Sequence, residues 1–383
     1  MPTPEVTEPP SAQEAFERTD QTAVLTQAAA LLILGLQLRG NATTQLKGVL
    51  QDTLPADDLA VLRIPPLSPL GGRINSQSVR ISLASRFGTS VAAPIPEGDD
   101  VTWRSEIFAE LARDHLRQPT ANSATNLMEA CLRHPHEIVR VAAAAAYHDW
   151  SSERPRLTVI LEQGTRSADL LVRQLAATAL AQVYPDNARL SDLTRSAGRA
   201  AGAAGAASHT AMLVHGTWAL GASWWQMGGD FHSYLLQELR PDLYSGNKRF
   251  AWSGGYSDAA RALGADDLLT WVNTYDEQGL DLFTHSHGGS LAMLASKKGV
   301  QIGTLVLLSC PVHVPKYQPD FSRVGTVVSI RVRLDLVILA DRGGQKFRHS
   351  SIRENVLPIW FDHTATHNPN VWKNSTYQIP AML

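Results

Sequence analysis

The chain has 383 residues, a formal net charge of −2, and 44% hydrophobic against 18% charged residues. That length suits two domains better than one, and that balance suits a packed protein rather than a disordered one. It carries neither a basic tail nor an RNA-binding signature, so nucleic acid is not an expected partner. The two cysteines, Cys131 and Cys310, lie in different halves of the sequence. That rules out a disulfide framework, and both read as small buried hydrophobes.

Residues 1–20 are acidic and proline-rich and read as a flexible arm. They lack the basic region that opens a signal peptide, which makes the cytoplasm the expected location. The apolar stretch Ala23 to Leu38 is interrupted by Gln27, Gly35 and Gln37. It is short for a membrane span, so no transmembrane segment is expected. A buried or amphipathic helix is the expectation, with attachment to a membrane surface as the alternative. Helix is expected over Thr22 to Leu62. Ile64 to Asp100 is rich in proline, glycine and serine and reads as irregular, with one alternating run, Ser78 to Arg86, that suits a short strand.

From Trp103 the pattern is helical again. His136 to Tyr147 (HEIVRVAAAAAY) and Ser167 to Leu180 (SADLLVRQLAATAL) align on Val139-Arg140 and Val172-Arg173 with a step of about 33 residues. The V-R-x-x-A-A-x-A core resembles a HEAT-type repeat; an alanine-rich bundle without true repeats is the other reading. A repeat of that kind implies a surface for a protein partner. His134-Pro135-His136 matches no zinc-ligand spacing. Residues 196–208, almost wholly glycine and alanine, read as a linker between a helical domain (21–195) and an α/β domain (209–383).

After the linker, strand-like and helix-like segments alternate, the pattern of an α/β fold with a mostly parallel sheet. Strands are expected at Ala211 to Gly216, Arg249 to Trp252, Leu280 to Phe283, Thr304 to Ser309, Val327 to Leu334 and Val356 to Phe361. Helices are expected after the second of these, over Ser257 to Val272, and after the third.

Leu280 to Lys298 (LDLFTHSHGGSLAMLASKK) passes from a buried strand into a helix through His285-Ser286-His287-Gly288-Gly289. A serine on such a turn stands above the sheet, and the first amides of the helix point at the same place. The stretch resembles the nucleophile elbow of the α/β-hydrolase family, G-x-S-x-G, with Thr284 where the family has its first glycine.

The resemblance implies an acid and then a histidine downstream of Ser286. Asp335 ends the alternating run VSIRVRL and is followed by Leu336-Val337, as in the family's D-x-V form. Asp341 is the alternative acid, and with Arg342-Gly343-Gly344 behind it reads better as a turn residue. His363 lies two residues past Phe361 and precedes Pro369 at the distance the family shows. His367 is the alternative base. Val214-His215-Gly216-Thr217-Trp218 resembles the family's strand-then-H-G-x turn, so the backbone amides of Thr217 and His287 are the expected oxyanion donors, with Trp218 as a neighbour that shares the role. Trp218, Trp224 and Trp225 line a substrate pocket or belong to the core.

The expected function is that of a serine hydrolase cleaving a small-molecule or lipid ester. Amidase, thioesterase and acyltransferase chemistry would use the same groups. No cofactor is expected: there is no glycine-rich phosphate loop, and His363 and His367 are four apart without the glutamate of an H-E-x-x-H zinc helix. The competing expectation is a non-catalytic interaction protein that docks through its helical domain.

Overall fold

The computed structural model describes residues 8–42, 54–67, 105–195, 211–244, 249–275 and 279–383, with Val79, Leu83, Ser85 and Glu277 as isolated positions. The expected linker at 196–208 and most of the strand expected at Ser78 to Arg86 lie outside them. The chain divides into two compact units. Among the described residues, one comprises those from 8 to 184 and Leu339–Gly344; the other comprises those in Pro185–Ile338 and Gln345–Leu383.

The first unit is helical: α1 (Ala12–Phe16), α2 (Gln21–Ala42), α3 (Ala56–Leu62), α4 (Ser105–Arg117), α5 (Ala121–Cys131), α6 (Glu137–Tyr147), α7 (Arg154–Gly164) and α8 (Leu170–Val183). Within the expected arm, Ala12–Phe16 is the helix α1. The Ser11 side chain caps the amide of Glu14, and the Glu14 carboxylate accepts from the Ser11 amide at 2.9 Å. This capping box starts α1, and Phe16 is buried.

α2 is longer than the apolar run predicts. Twenty of its residues, Gln21–Gly40, make a stretch long and apolar enough to cross a membrane, but most of them are buried. A Cβ on Gly35 would come within 2.8 Å of the Ala146 Cα, so glycine and alanine let α2 and α6 pack backbone to backbone.

The helix pairs α5–α6 and α7–α8 repeat: both starts recur 33 residues on. Equivalent arginines close equivalent turns. Arg140 donates to the carbonyls of His134 and Pro135, and Arg173 to those of Ser167 and Ala168. Within the first of these turns His134 Nδ1 accepts from the amide of His136, and burial pushes the His134 pKa down to about 3.

The second unit is α/β. It holds α9 (Ala188–Arg195), β1 (Ala211–Val214), α10 (Asp230–Tyr234), α11 (Asp258–Tyr275), β2 (Leu280–His285), α12 (His287–Lys297), β3 (Ile302–Leu308), β4 (Val324–Arg333), α13 (Leu336–Ala340, shared with the first unit beyond Ile338), β5 (Ile352–Trp360) and α14 (Pro369–Lys373). The five strands form one sheet in the order β1-β2-β3-β4-β5, and every pairing is parallel.

Apolar residues cover both faces, as a parallel sheet requires. Met212, Leu282, Leu305 and Val327 pack with Leu268 of α11 and Leu291 of α12. Leu213, Phe283, Val306 and Val328 pack with Phe231 of α10 and Trp372 of α14.

Arg249 to Trp252 is not a strand. The flank of β1 is taken by Leu243, which bridges Ala211, and by the Tyr244 amide, which donates to the Ala211 carbonyl. The Phe250 amide meets the Met212 sulfur instead, and Trp252 donates through its indole to the His215 carbonyl. Apolar character alone therefore mimics a strand here. Cys131 and Cys310 are free thiols, and both are buried.

Replacing Gly35 by valine is expected to destabilise the helical unit by about 1–3 kcal/mol, because the α2–α6 contact has no room for a side chain. A urea titration followed by far-UV circular dichroism checks this; an unchanged midpoint refutes the close approach.

Candidate active site

The parallel register lines up the C-terminal ends of the strands. Val214 lies beside Thr284, His285 beside Leu308, Leu308 beside Ile330, and Arg333 beside Trp360. The first residue past each of β2 to β5 has a positive φ although none is glycine: Ser286 (52°), Ser309 (43°), Leu334 (46°) and Phe361 (69°). Such residues turn the chain abruptly off the sheet, at a cost of about 1–3 kcal/mol each.

Ser286 is the most unusual of them. Its ψ of −131° puts it outside the left-handed helical well, and it is the N-cap of α12. Its amide donates to the Leu308 carbonyl at 2.8 Å, and its carbonyl accepts from Gly289 at 3.0 Å.

Two glycines make room for this turn. A Cβ on Gly216 would lie 2.9 Å from the Ser286 Cβ, and one on Gly288 would lie 2.6 Å from the His215 carbonyl oxygen. Thr284, where a glycine was expected, is still within β2. Its hydroxyl donates to the Val306 carbonyl at 2.9 Å, which accommodates a β-branched residue at this position.

Asp335 and His363 meet. His363 Nδ1 and Asp335 Oδ2 are 2.6 Å apart, and the residues are 2% and 1% exposed. A carboxylate accepts, so Nδ1 is the donor of this bond. The other carboxylate oxygen of Asp335 accepts from the amides of Val337 and Ile338 at 2.9 and 3.2 Å. The His363 carbonyl accepts from His285 Nε2 at 3.2 Å, which ties its loop to the residue next to Ser286.

Asp341 belongs to the segment Leu339–Gly344, which groups with the helical unit, and there its carbonyl accepts from the Gln182 side chain at 2.6 Å. His367 is a packing residue. Its ring stacks on Trp224 at 4.3 Å and meets the His285 ring edge-on at 4.6 Å.

Next to Ser286, Thr217 follows Gly216, and His287 opens α12, where backbone amides project from the helix end. Their side chains are joined, with Thr217 Oγ1 2.9 Å from His287 Nδ1. This bond, which the sequence does not announce, couples two loops 70 residues apart. Trp218 does not share the amide role: its N–H donates to the Gly254 carbonyl at 2.9 Å.

The three tryptophans divide. Trp224 and Trp225 are buried in the core on the α10 side of the sheet. Trp225 also lies under the His215 ring at 4.6 Å. Trp218 is partly exposed and stacks on Tyr256 at 5.6 Å.

Three histidines in this region are held neutral. Burial pushes the His215 pKa down to about 4. Burial, and then the nearby His363, pushes that of His367 down to about 3. Burial, with His367 and His363 beside it, also lowers that of His285.

No family model, curated protein or solved structure matches the chain. Sequence and geometry together define a helical region followed by an α/β unit with a parallel sheet, whose strand ends gather a strained serine and a buried histidine–aspartate pair.

The neutral histidines set a pH dependence. Unfolded, His215 and His367 take up a proton near pH 6.5; folded, they resist until about pH 4 and about pH 3. Their contribution is therefore complete above pH 6.5 and is lost as pH falls toward 4, at roughly 1.4 kcal/mol per pH unit for each group. Unfolding followed by tryptophan fluorescence should show this loss, and the slope should be shallower in His367→Phe, which keeps the stack on Trp224 and removes the proton. An identical slope in both proteins would assign the pH dependence to other groups.

Proposed function

We propose that the C-terminal half is an α/β-hydrolase-type serine hydrolase acting on a carboxylic ester. The observation that carries this reading is the buried 2.6 Å bond between His363 and Asp335, formed at the ends of the two strands that follow Ser286 in the sheet's fourth and fifth positions. The order serine, acid, histidine is that of the family. The sheet order, with helices on both faces, agrees with it.

In this reading Ser286 Oγ attacks the ester carbonyl carbon while His363 Nε2 takes the hydroxyl proton. Asp335 holds the imidazole in the Nδ1–H tautomer and stabilises the imidazolium that forms. Negative charge moves onto the carbonyl oxygen, where the amides of Thr217 and His287 receive it. When the tetrahedral intermediate collapses, the alkoxide leaves with the proton from His363, and an acyl-Ser286 remains. Water then attacks the acyl carbon, giving its proton to His363, and the carboxylic acid is released as Ser286 Oγ recovers a proton. Another acceptor in place of water would make the same site an acyltransferase. An amide or thioester in place of the ester would make it an amidase or thioesterase.

The chain as purified should react with a fluorophosphonate probe and hydrolyse p-nitrophenyl esters. Ser286→Ala and His363→Ala should each lose at least about a thousandfold in kcat, because the groups act as a unit. His367→Phe should keep most of its turnover. Equal losses in the His363 and His367 variants would overturn the choice of base. A folded protein that neither reacts with the probe nor hydrolyses any ester of a chain-length series would instead favour an interaction protein, docking through the repeated helix pairs.

A further inference from the structure

We infer that Gln345 is a positioning residue for the Asp335–His363 pair, an inference that rests on the serine-hydrolase reading. The chain leaves the sheet at Arg333, and Leu334 turns it with a φ of 46°. Gln345 lies ten positions past Asp335, and six of the nine residues between them, Leu339–Gly344, group with the other unit. Asp335 therefore sits at the foot of an excursion, with no strand ladder to hold its peptide groups. Gln345 is where the chain rejoins the α/β unit.

Its side-chain amide grips Asp335 at two points. Gln345 Oε1 accepts from the Asp335 amide at 2.9 Å, and Gln345 Nε2 donates to the Asp335 carbonyl at 3.2 Å. Gln345 is 2% exposed, so no water takes over those bonds cheaply. The two contacts imitate the paired bonds of a neighbouring strand and close the excursion at its base.

Every polar group of Asp335 is then assigned. Its N–H and C=O are held by Gln345, Oδ1 by the amides of Val337 and Ile338, and Oδ2 by His363. Four of the five contacts fix where the carboxylate points, which leaves Oδ2 aimed at one partner. Such an arrangement matters to turnover, because a displacement of about 1 Å in a catalytic group costs about a hundredfold in rate.

Gln345→Met keeps the side-chain volume and removes both bonds; Gln345→Glu keeps the acceptor and removes the donor. Two measurements read them. One is the far-downfield proton resonance of the His363 Nδ1–H, assigned by its loss in His363→Ala. The other is steady-state kinetics on a p-nitrophenyl ester. Gln345→Met should move or broaden the resonance and lower kcat about tenfold to a hundredfold, with KM changed less than about twofold. It should have no further effect in an Asp335→Ala background, since it acts through that residue. Gln345→Glu, which keeps one bond but sets a carboxylate oxygen against the Asp335 carbonyl, should move the resonance too.

An unchanged resonance and kcat in Gln345→Met would overturn the inference. So would an equal loss of kcat with and without Asp335, because Gln345 would then be acting on the fold at large. If the wild-type chain hydrolyses no ester while Gln345→Met still moves the resonance, the hydrolase reading fails and the positioning role stands.

Discussion

The arrangement of this α/β unit depends on how its strands end. A parallel sheet brings all its C-terminal ends to one edge, where the chain must turn before it can form a helix or loop. Here four successive strands make that turn through a single non-glycine residue of positive φ, Ser286, Ser309, Leu334 and Phe361. The ladder runs one bond past the strand at each of three of them: Ser286 donates to Leu308, Ser309 to Ile330, and Phe361 to Arg333. Those bonds hold the turns in conformations the residues would not choose alone. The strain is concentrated where Ser286, Asp335 and His363 stand, at the turns or within two residues of them.

Around that edge, polar groups are tied across long sequence separations. Thr217 meets His287, His285 meets His363, and His363 meets Asp335. Each of these side chains is assigned a partner before any ligand enters. The surrounding imidazoles of His215, His285 and His367 are kept neutral by burial, so they contribute shape and donors rather than charge. His363 is bonded to the Asp335 carboxylate at 2.6 Å, whereas His367 stacks on Trp224.

The helical unit obeys a different rule. Its pairs repeat because small residues allow helices to approach closely and because one arginine per pair closes the preceding turn. Arg140 and Arg173 do so at the same offset, with the two carbonyls five and six residues back. The repeated V-R-x-x-A-A-x-A pattern thus has a physical content: valine and alanine for the buried face, arginine for the turn.

The sequence by itself determined the alternation of apolar strands and helices in the C-terminal half, the helical character before it, and the sharp turn at Ser286. These are legible because they are local: side-chain period, glycines past a serine, and a capping residue all act within a few positions. It also narrowed the acid and the base to two residues each. What it did not determine is which acid and which histidine meet. Asp335 and Asp341 are six residues apart, yet one is bonded to His363 and the other lies in a segment that groups with the helical unit. His363 and His367 are four apart, yet one pairs with a carboxylate and the other stacks on Trp224. Nor did local pattern show that Arg249 to Trp252 gives up strand pairing to Leu243, that Trp218 spends its amide on Gly254, or that Gln345 grips Asp335. Those choices are made by contacts between residues distant in the chain, which form only when the sheet brings its strand ends into one row.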